Sequence, residues 1–458
     1  MDPNMQMAHK IAQAVAAQGG RAYYVGGLVR DRLMGRENKD VDIEVHGVPP
    51  QALEAILEGL GQRTEMGASF GVYGLRHYDI DIALPRKEEA TGRGHKDFAI
   101  FADPFLGTKK AAIRRDFTIN AMMEDVLTGE IIDHFGGQED LKKGVIRHVN
   151  DQTFTEDPLR VLRGAQFAAR FGFTVAPETC ALCRGIDLSY LAAERIFSEL
   201  EKALMKADTP SVFFEFLRKT HQLSHWFPEI EALIDTPQEP RHHPEGDVWN
   251  HTMLVLDQAA QLRSQARQPL FFMLSALCHD LGKPVTTALD RGVIRSIGHE
   301  KAGIPLADRF LSRITNEIRL HKYVLNMVEL HMYPNQRVKQ KSGQKSMNHL
   351  FDASLCPEDL LLLAKADHTG RPLDRDYTPT ENRLREQLQI FHEIMARPYV
   401  MGADLIAAGM QPGPDFGEAL AYAHKLRLAG VEKESALLQT MGYLKSLRVA
   451  AKKAENRM

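Results

Sequence analysis

Lys39-Asp40-Val41-Asp42-Ile43-Glu44-Val45 sets Asp40 and Asp42 two residues apart in a β-rich run, and His77-Tyr78-Asp79-Ile80-Asp81-Ile82-Ala83 does the same with Asp79 and Asp81. Alternate side chains of a strand share a face, so each pair of carboxylates points one way. Like charges side by side repel, and a cation relieves them. Oxygen ligands on a rigid strand suit Mg²⁺, which keeps waters and shares substrate phosphates. A neighbouring strand can add a third carboxylate, Asp81 or its rival Asp79. Three acids around two ions is what nucleotidyl transfer needs, one ion acidifying the attacking hydroxyl and the other stabilising the leaving pyrophosphate. Solvated acids on an exposed strand account for either run alone, and far less well for both together.

Tyr23-Tyr24-Val25-Gly26-Gly27-Leu28-Val29-Arg30-Asp31 reads as strand, glycine pair and helix start. Glycines let a backbone approach phosphate, the helix start offers N–H groups, and Arg30 adds positive charge one turn in. Arg114-Arg115-Asp116-Phe117-Thr118-Ile119-Asn120-Ala121 supplies two arginines suited to a polyphosphate, ahead of a helix that Asp116 is expected to N-cap.

Glu156-Asp157-Pro158-Leu159-Arg160-Val161-Leu162-Arg163 opens with acids and proline, a helix-start signal. Asp157, Arg160 and Arg163 then fall at three-residue steps on one side, with Leu162, Ala165 and Ala169 toward the core. An Asp beside an Arg presents an acceptor next to donors, which matches the pairing edges of cytosine and adenine and mismatches uracil and guanine. CTP and ATP would be accepted; UTP and GTP would leave buried polar groups unpaired. An ordinary ion pair on a solvated helix has the same spacing.

A second cluster is rich in histidine. His279-Asp280 ends an apolar helix stopped by Gly282 and Pro284, His251 lies in an earlier helix, and Asp367 in a later one. Together these four can hold one divalent transition metal, for which imidazole plus carboxylate is a better set than for Mg²⁺. His299 and His331 are candidates for substrate phosphate or a second ion, or are ordinary hydrogen-bonded histidines.

These residues need a mixed front and a helical back. From Ala22 to Val149 short β runs alternate with helical stretches such as Pro50–Leu60; from Asp157 onward the pattern is helical. Pro, Gly and polar residues gather at 235–246, reading as a linker or an ordered entrance loop. The 458 residues, net charge −3 from 57 Lys+Arg and 60 Asp+Glu, and 44% hydrophobic content exclude disorder and a uniformly basic nucleic-acid binder. Any phosphate-binding surface must be local. Four cysteines form no disulfide framework, and Cys180-Ala-Leu-Cys183 lacks the second pair a zinc site needs. With no apolar run near the ~18 residues of a span, a cytoplasmic location and no membrane contact are expected.

Val25-Gly26-Gly27-Leu28-Val29-Arg30-Asp31, Asp40-Val41-Asp42, Arg114 through Ala121, Asp133-His134-Phe135-Gly136-Gly137 and Glu156 through Arg163 resemble, in order and spacing, the bacterial CCA-adding tRNA nucleotidyltransferase and poly(A) polymerase family, class II. The resemblance implies an α+β chain. It would comprise a polymerase-β-like nucleotidyltransferase head (1–149), an all-helical neck (150–240), an HD domain (241–370) and a helical tail (371–458). It further implies that C, C and A are added without template to the tRNA 3′ end from CTP and ATP, with Mg²⁺. The implied roles are catalysis at Asp40, Asp42 and Asp81, nucleotide binding at Gly26, Gly27, Arg30, Arg115, Asp116 and Asn120, and base reading at Asp157, Arg160 and Arg163. Asp81 stands where the family usually has Glu, and Leu28 where Ala is common. The segment 86–96 sits where relatives carry the loop that switches C to A addition. Enzymes that add only CC, only A, or poly(A) share these motifs, and a non-catalytic RNA-binding protein is a further alternative. The histidine block resembles HD phosphohydrolases. Its fusion to such a head resembles the multifunctional type, which implies Ni²⁺ or Mn²⁺ at His251, His279, Asp280 and Asp367 and hydrolysis of phosphate monoesters and 2′,3′-cyclic phosphates. Oligomeric state is not legible.

Overall fold

The computed structural model describes residues 2–67, 72–90, 98–373 and 375–455. Two compact units divide the chain, Met1–Pro228 and Glu229–Met458. In the first, β1 (Arg21–Val25), β2 (Val41–His46), β3 (Arg63–Gly67), β4 (Val72–Leu75), β5 (Ile80–Ala83), β8 (Met123–Asp125) and β9 (Ile131–Ile132) form one sheet in the order β3-β4-β5-β2-β1-β8-β9. β2 and β5 are parallel while β1 is antiparallel to both β2 and β8. A separate hairpin pairs β6 (Arg86–Ala90) with β7 (Phe98–Ala102). Residues 91–97 of the expected switching loop lie outside the described residues.

Alternation decides which side of β2 meets the core. Val41, Ile43 and Val45 join Ile11 and Val15 of the helix Pro3–Ala17 and Leu53 and Leu57 of the helix Pro50–Leu60, all essentially free of solvent. Burying such side chains contributes about 1.5–3 kcal/mol each. Asp42 and Glu44 therefore face the opposite side, toward Tyr23, Val25, Ala111 and Ala112. The oily face of the strand fixes the direction of the acidic one.

The helical part of this unit centres on Leu159–Phe171, which packs against Ala193–Lys206 and Ser211–Lys219 through Val161, Leu162, Ala165 and Ala168. Gly172, at φ 68°, ends it in the left-handed region that glycine tolerates. Cys180 and Cys183 are buried on the helix Pro177–Cys183, and burial pushes the Cys183 thiol up to about 12.

One expectation is corrected. Asp116 does not N-cap an α-helix: Phe117 is extended and bridges His148, and only a 3₁₀ turn, Thr118–Asn120, follows. The Asp116 carboxylate is instead drawn to Arg163. Of the two readings of 235–246, the structure has the ordered loop. That stretch is an ordered part of the second unit, where Val248 N donates to Thr236 O and Lys283 Nζ to Gln238 Oε1.

The second unit is helical apart from the hairpin Thr287–Asp290 with Val293–Ser296. The helices Val248–Leu262, Pro269–Cys278, His299–Ile314, Ile318–Leu330 and Pro357–Thr369 carry its chemistry. Among the described residues no helix is long and apolar enough to cross a membrane.

Candidate functional site

In the head, parallel register sets Asp42 directly opposite Asp81 on β5. Asp40 immediately precedes β2 and is exposed; Asp79 precedes β5, is exposed, and donates its N–H to Asn4 Oδ1. Burial, then the Asp81 carboxylate, push the Asp42 carboxyl above its ordinary value, Asp40 and Asp79 adding to the effect and Arg115 opposing it. Crowded carboxylates with no nitrogen or sulfur donor beside them are the environment an Mg²⁺ ion relieves.

A cleft of about 290 Å³ opens beside them, lined among others by Asp42, Glu44, Asp81, Arg86, Arg114 and Arg115. Burial, with Arg86 and Arg160 adding like charge, pulls the Arg114 guanidinium down to about 10. This wall favours a polyanion. Glu44 is buried and accepts from His46 Nε2 (2.8 Å) and Arg115 Nη2 (3.3 Å). Burial opposes its charge, yet His46 and Arg115 hold its carboxyl below the usual range. Glu44 thereby fixes Arg115 over the cleft. Gly26 is needed there: its φ is 69° and a Cβ would come within 3.3 Å of Arg115 Nη1.

Arg30, expected to hold the triphosphate, is buried among side chains of this unit. It is 3% exposed, bonds Asp31 and Asn120, and lies over the rings of Phe167 and Phe171. Asp116 and Asn120 are likewise buried and do not line the cleft. Gly27 opens the helix Gly27–Leu33 beside Asn38. Of the base-reading set, Asp157 precedes its helix and accepts from Leu159 N (3.1 Å) and Arg195 Nη2 (3.3 Å). Arg160 donates to Thr153 O and Arg114 O, and Arg163 to Asp116 Oδ2 (2.7 Å). The three are near one another without pairing as a simple i, i+3 bridge.

In the second unit, three histidines each sit at a helix end and donate Nδ1–H to a carbonyl three residues back: His279 to Ala276 (2.8 Å), His299 to Ser296 (2.7 Å) and His331 to Val328 (2.7 Å). A carbonyl only accepts, so in the neutral imidazole each Nε2 carries the lone pair. His251 does the same against Glu245 Oε1 (2.8 Å). These Nε2 atoms converge on two carboxylates. Asp280 Oδ2 lies 3.1 Å from His279 Nε2 and 3.6 Å from His251 Nε2, whereas Oδ1 lies 3.4 Å from His299 Nε2 and 3.8 Å from His331 Nε2. Asp367 Oδ1 is 3.1 Å from His251 Nε2.

His251, His279 and Asp367 form one ligand-competent triplet, and Asp280, His299 and His331 another, all six buried. His279 Nε2 is buried without an aligned hydrogen bond, and Asp280 Oδ2 is met by ion pairs to Lys283 Nζ and His279 Nε2. His299 Nε2 and His331 Nε2 face each other at 3.3 Å. Facing acceptors in a buried site suit divalent transition ions. Burial opposes charge on His279 but Asp280 more than offsets it, so its pKa is raised; burial and the neighbouring imidazoles take His331 down to about 3. The site opens into a cavity of about 860 Å³ whose walls include Lys283, His299, Arg371 and Arg375. Arg371 Nη2 clasps Asp367 (2.7 and 2.9 Å), and Lys283 Nζ reaches Asp280 Oδ2 (2.7 Å).

Sequence reading overlooked Glu44, Arg86, Glu245, Lys283 and Arg371. Glu44 was legible as the next same-face residue after Asp42; Lys283 and Arg371 stand one turn after Asp280 and Asp367. Nothing local marks Arg86 or Glu245.

A sheet with opposed carboxylates beside an arginine-walled cleft defines a polymerase-type nucleotidyltransferase head, and residues 22–147 match the family described as "Poly A polymerase head domain". Residues 172–234 match "Probable RNA and SrmB- binding site of polymerase A". The multifunctional CCA protein of Halorhodospira halophila is 37% identical over 428 residues, covering 90% of this chain and 98% of the relative; that of Nitrosococcus oceani is 38% identical over 409, covering 87% and 94%. The chain belongs to the family of multifunctional CCA proteins. Its fold is that of solved CCA-adding enzymes: one from Thermotoga maritima complexed with tRNA (TM-score 0.65, 20% identity, 97% of this chain and 96% of that one) and one from Bacillus stearothermophilus in complex with CTP (TM-score 0.68, 22%, 98% and 100%).

Proposed function

We propose that this chain adds C, C and A to tRNA 3′ ends from CTP and ATP, and that its second unit is a metal-dependent phosphohydrolase acting on phosphate monoesters and 2′,3′-cyclic phosphates. The observation that carries the first part is Asp42 set against Asp81 in parallel register beside a cleft walled by Arg86, Arg114 and Arg115. Membership of the family and solved relatives titled with tRNA, CTP and ATP support the substrates.

In this reading Asp40, Asp42 and Asp81 hold Mg²⁺, which when bound acidifies the 3′-hydroxyl and stabilises the departing pyrophosphate. Arg114 and Arg115 seat the triphosphate, Glu44 fixes the second of them, and Gly26 clears the path. Asp157, Arg160 and Arg163 present acceptor and donors to the base. The four-part division at 149, 240 and 370 belongs to the same proposal. For the second site, the convergence of His251, His279 and Asp367 and of Asp280, His299 and His331 carries the reading. His251, His279, Asp280 and Asp367 would hold one ion, with Asp280, His299 and His331 placed for another; such an ion activates water for attack on phosphorus. Lys283, Arg371 and Arg375 supply positive charge to the substrate phosphate.

The test is incorporation of labelled CTP and ATP into a tRNA lacking its 3′ terminus. Wild type should add C, C and A; Asp42→Asn should lose about 10⁴-fold, while Asp280→Ala retains transfer and loses phosphoester hydrolysis. Long A tracts with CTP ignored would replace the reading with a poly(A) polymerase. Binding without incorporation would replace it with an RNA-binding protein.

A further inference from the structure

A row of side chains runs from the carboxylate strand of the head to the helix Leu159–Phe171. Asp40 N donates to Asn38 Oδ1 (3.0 Å), and Asn38 Nδ2 to Asp31 Oδ2 (2.8 Å). Arg30 donates from Nε to Asp31 Oδ1 (2.8 Å) and from Nη1 to Asn120 Oδ1 (2.6 Å). Asn120 Nδ2 donates to Asp116 Oδ1 (3.0 Å), and Arg163 Nε to Asp116 Oδ2 (2.7 Å).

The inner members are sealed: Arg30 and Asp31 are each 3% exposed, Asn120 5% and Asp116 7%. Their charges alternate, with the neutral amide between the cation of one pair and the anion of the next. At that place only a group that accepts on one edge and donates on the other satisfies both neighbours. A carboxylate would face Asp116 with like charge; an alkyl group would leave Arg30 Nη1 and Asp116 Oδ1 buried without this partner. The hydrogen bonds of Arg30 and Asn120 join them to each other and to Asp31 and Asp116.

We propose that Asn120 is a positioning residue, the joint that sets base-reading Arg163 on one side and the Asp40 metal loop on the other, so that nucleotide choice and hold on Mg²⁺ depend on one amide. This rests on the nucleotidyl-transfer reading above. Because Arg163 is anchored on Asp116 rather than on the base, the direction of its donors depends on how firmly Asp116 is held. Asn120 and the Phe117 N–H are the other groups that hold the Asp116 carboxylate.

The experiment measures incorporation of CTP, ATP, UTP and GTP into truncated tRNA across Mg²⁺ concentrations, with thermal melting alongside. Asn120→Ala should lower the CTP-to-UTP ratio by about tenfold or more and raise the Mg²⁺ concentration for half-maximal rate several-fold. Asn120→Asp keeps the acceptor for Arg30 and sets a like charge against Asp116, so it should lose selectivity while keeping the wild-type Mg²⁺ requirement. Asn38→Ala, at the partly exposed end, should do the reverse. If Asn120→Ala does not fold, the opposite behaviour of the other two variants decides. Variants that slow all four nucleotides by one factor, with ratio and Mg²⁺ requirement unchanged, overturn the joint and leave nucleotidyl transfer intact. A wild type that incorporates nothing overturns both.

Discussion

At the scale of residues, the two sites differ in what their carboxylates face. Asp42 is largely buried and faces other acids, so its carboxyl is harder to ionise than usual. Mg²⁺ binds only the ionised form and therefore lowers the apparent pKa. The acid limb of the pH–rate profile for nucleotide addition should move to lower pH as Mg²⁺ is raised, and a limb that stays fixed would remove Asp42 from the metal. Asp280 faces imidazoles instead. Asp280 holds the pKa of His279 above its ordinary value, so a metal must displace its proton, and affinity should be full above that raised pKa and fall as pH drops through it. Calorimetric titration with Ni²⁺ or Mn²⁺ at about pH 8 and about pH 5.5 checks the sign. That Asp42 lies in a strand and His279-Asp280 at a helix end was legible, because β-rich alternation and the Gly and Pro that follow a helix are local signals. The burial of Arg30 was not, since one turn of helix says nothing about which aromatic rings will close over its outer face.

At the scale of elements, strand alternation and helix ends account for most of what was anticipated. The period of two in β2 sends Val41, Ile43 and Val45 to the core and Asp42 to the cleft, whatever the partners. The same rule applies to Glu44, whose role required knowing that Arg115, 71 residues away, lands on it. Asp116 misled for a related reason: its capping chemistry was real, but Arg163, 47 residues on, competes for the carboxylate and wins. The His279-Asp280 turn depends on a close approach of backbones. A Cβ on Gly282 would lie 2.0 Å from His299 O and 2.6 Å from Gly303 N, neither of which is a yielding side-chain end. Gly282→Ala should destabilise this unit by about 1–3 kcal/mol and abolish phosphoester hydrolysis, with CCA addition retained. Thermal melting and the two assays, run on the same preparation, decide it.

At the scale of the whole molecule, the chain holds its two groups of candidate site residues in two separate compact units. Asp42→Asn combined with Asp280→Ala should reproduce each single defect unchanged, as expected for sites without shared partners; a further loss in either activity would show coupling. The amino-acid sequence by itself determined the family and the strand or helix setting of the candidate site residues, because these reside in spacing and chain order. Tertiary structure alone decided that Asp81 stands opposite Asp42, that Arg30 serves the interior, that His299 and His331 meet Asp280, and that Asn120 joins Asp116 to Arg30. Each of those pairings closes a long loop, and which distant groups meet is set by the packing of whole elements rather than by any pattern along the chain.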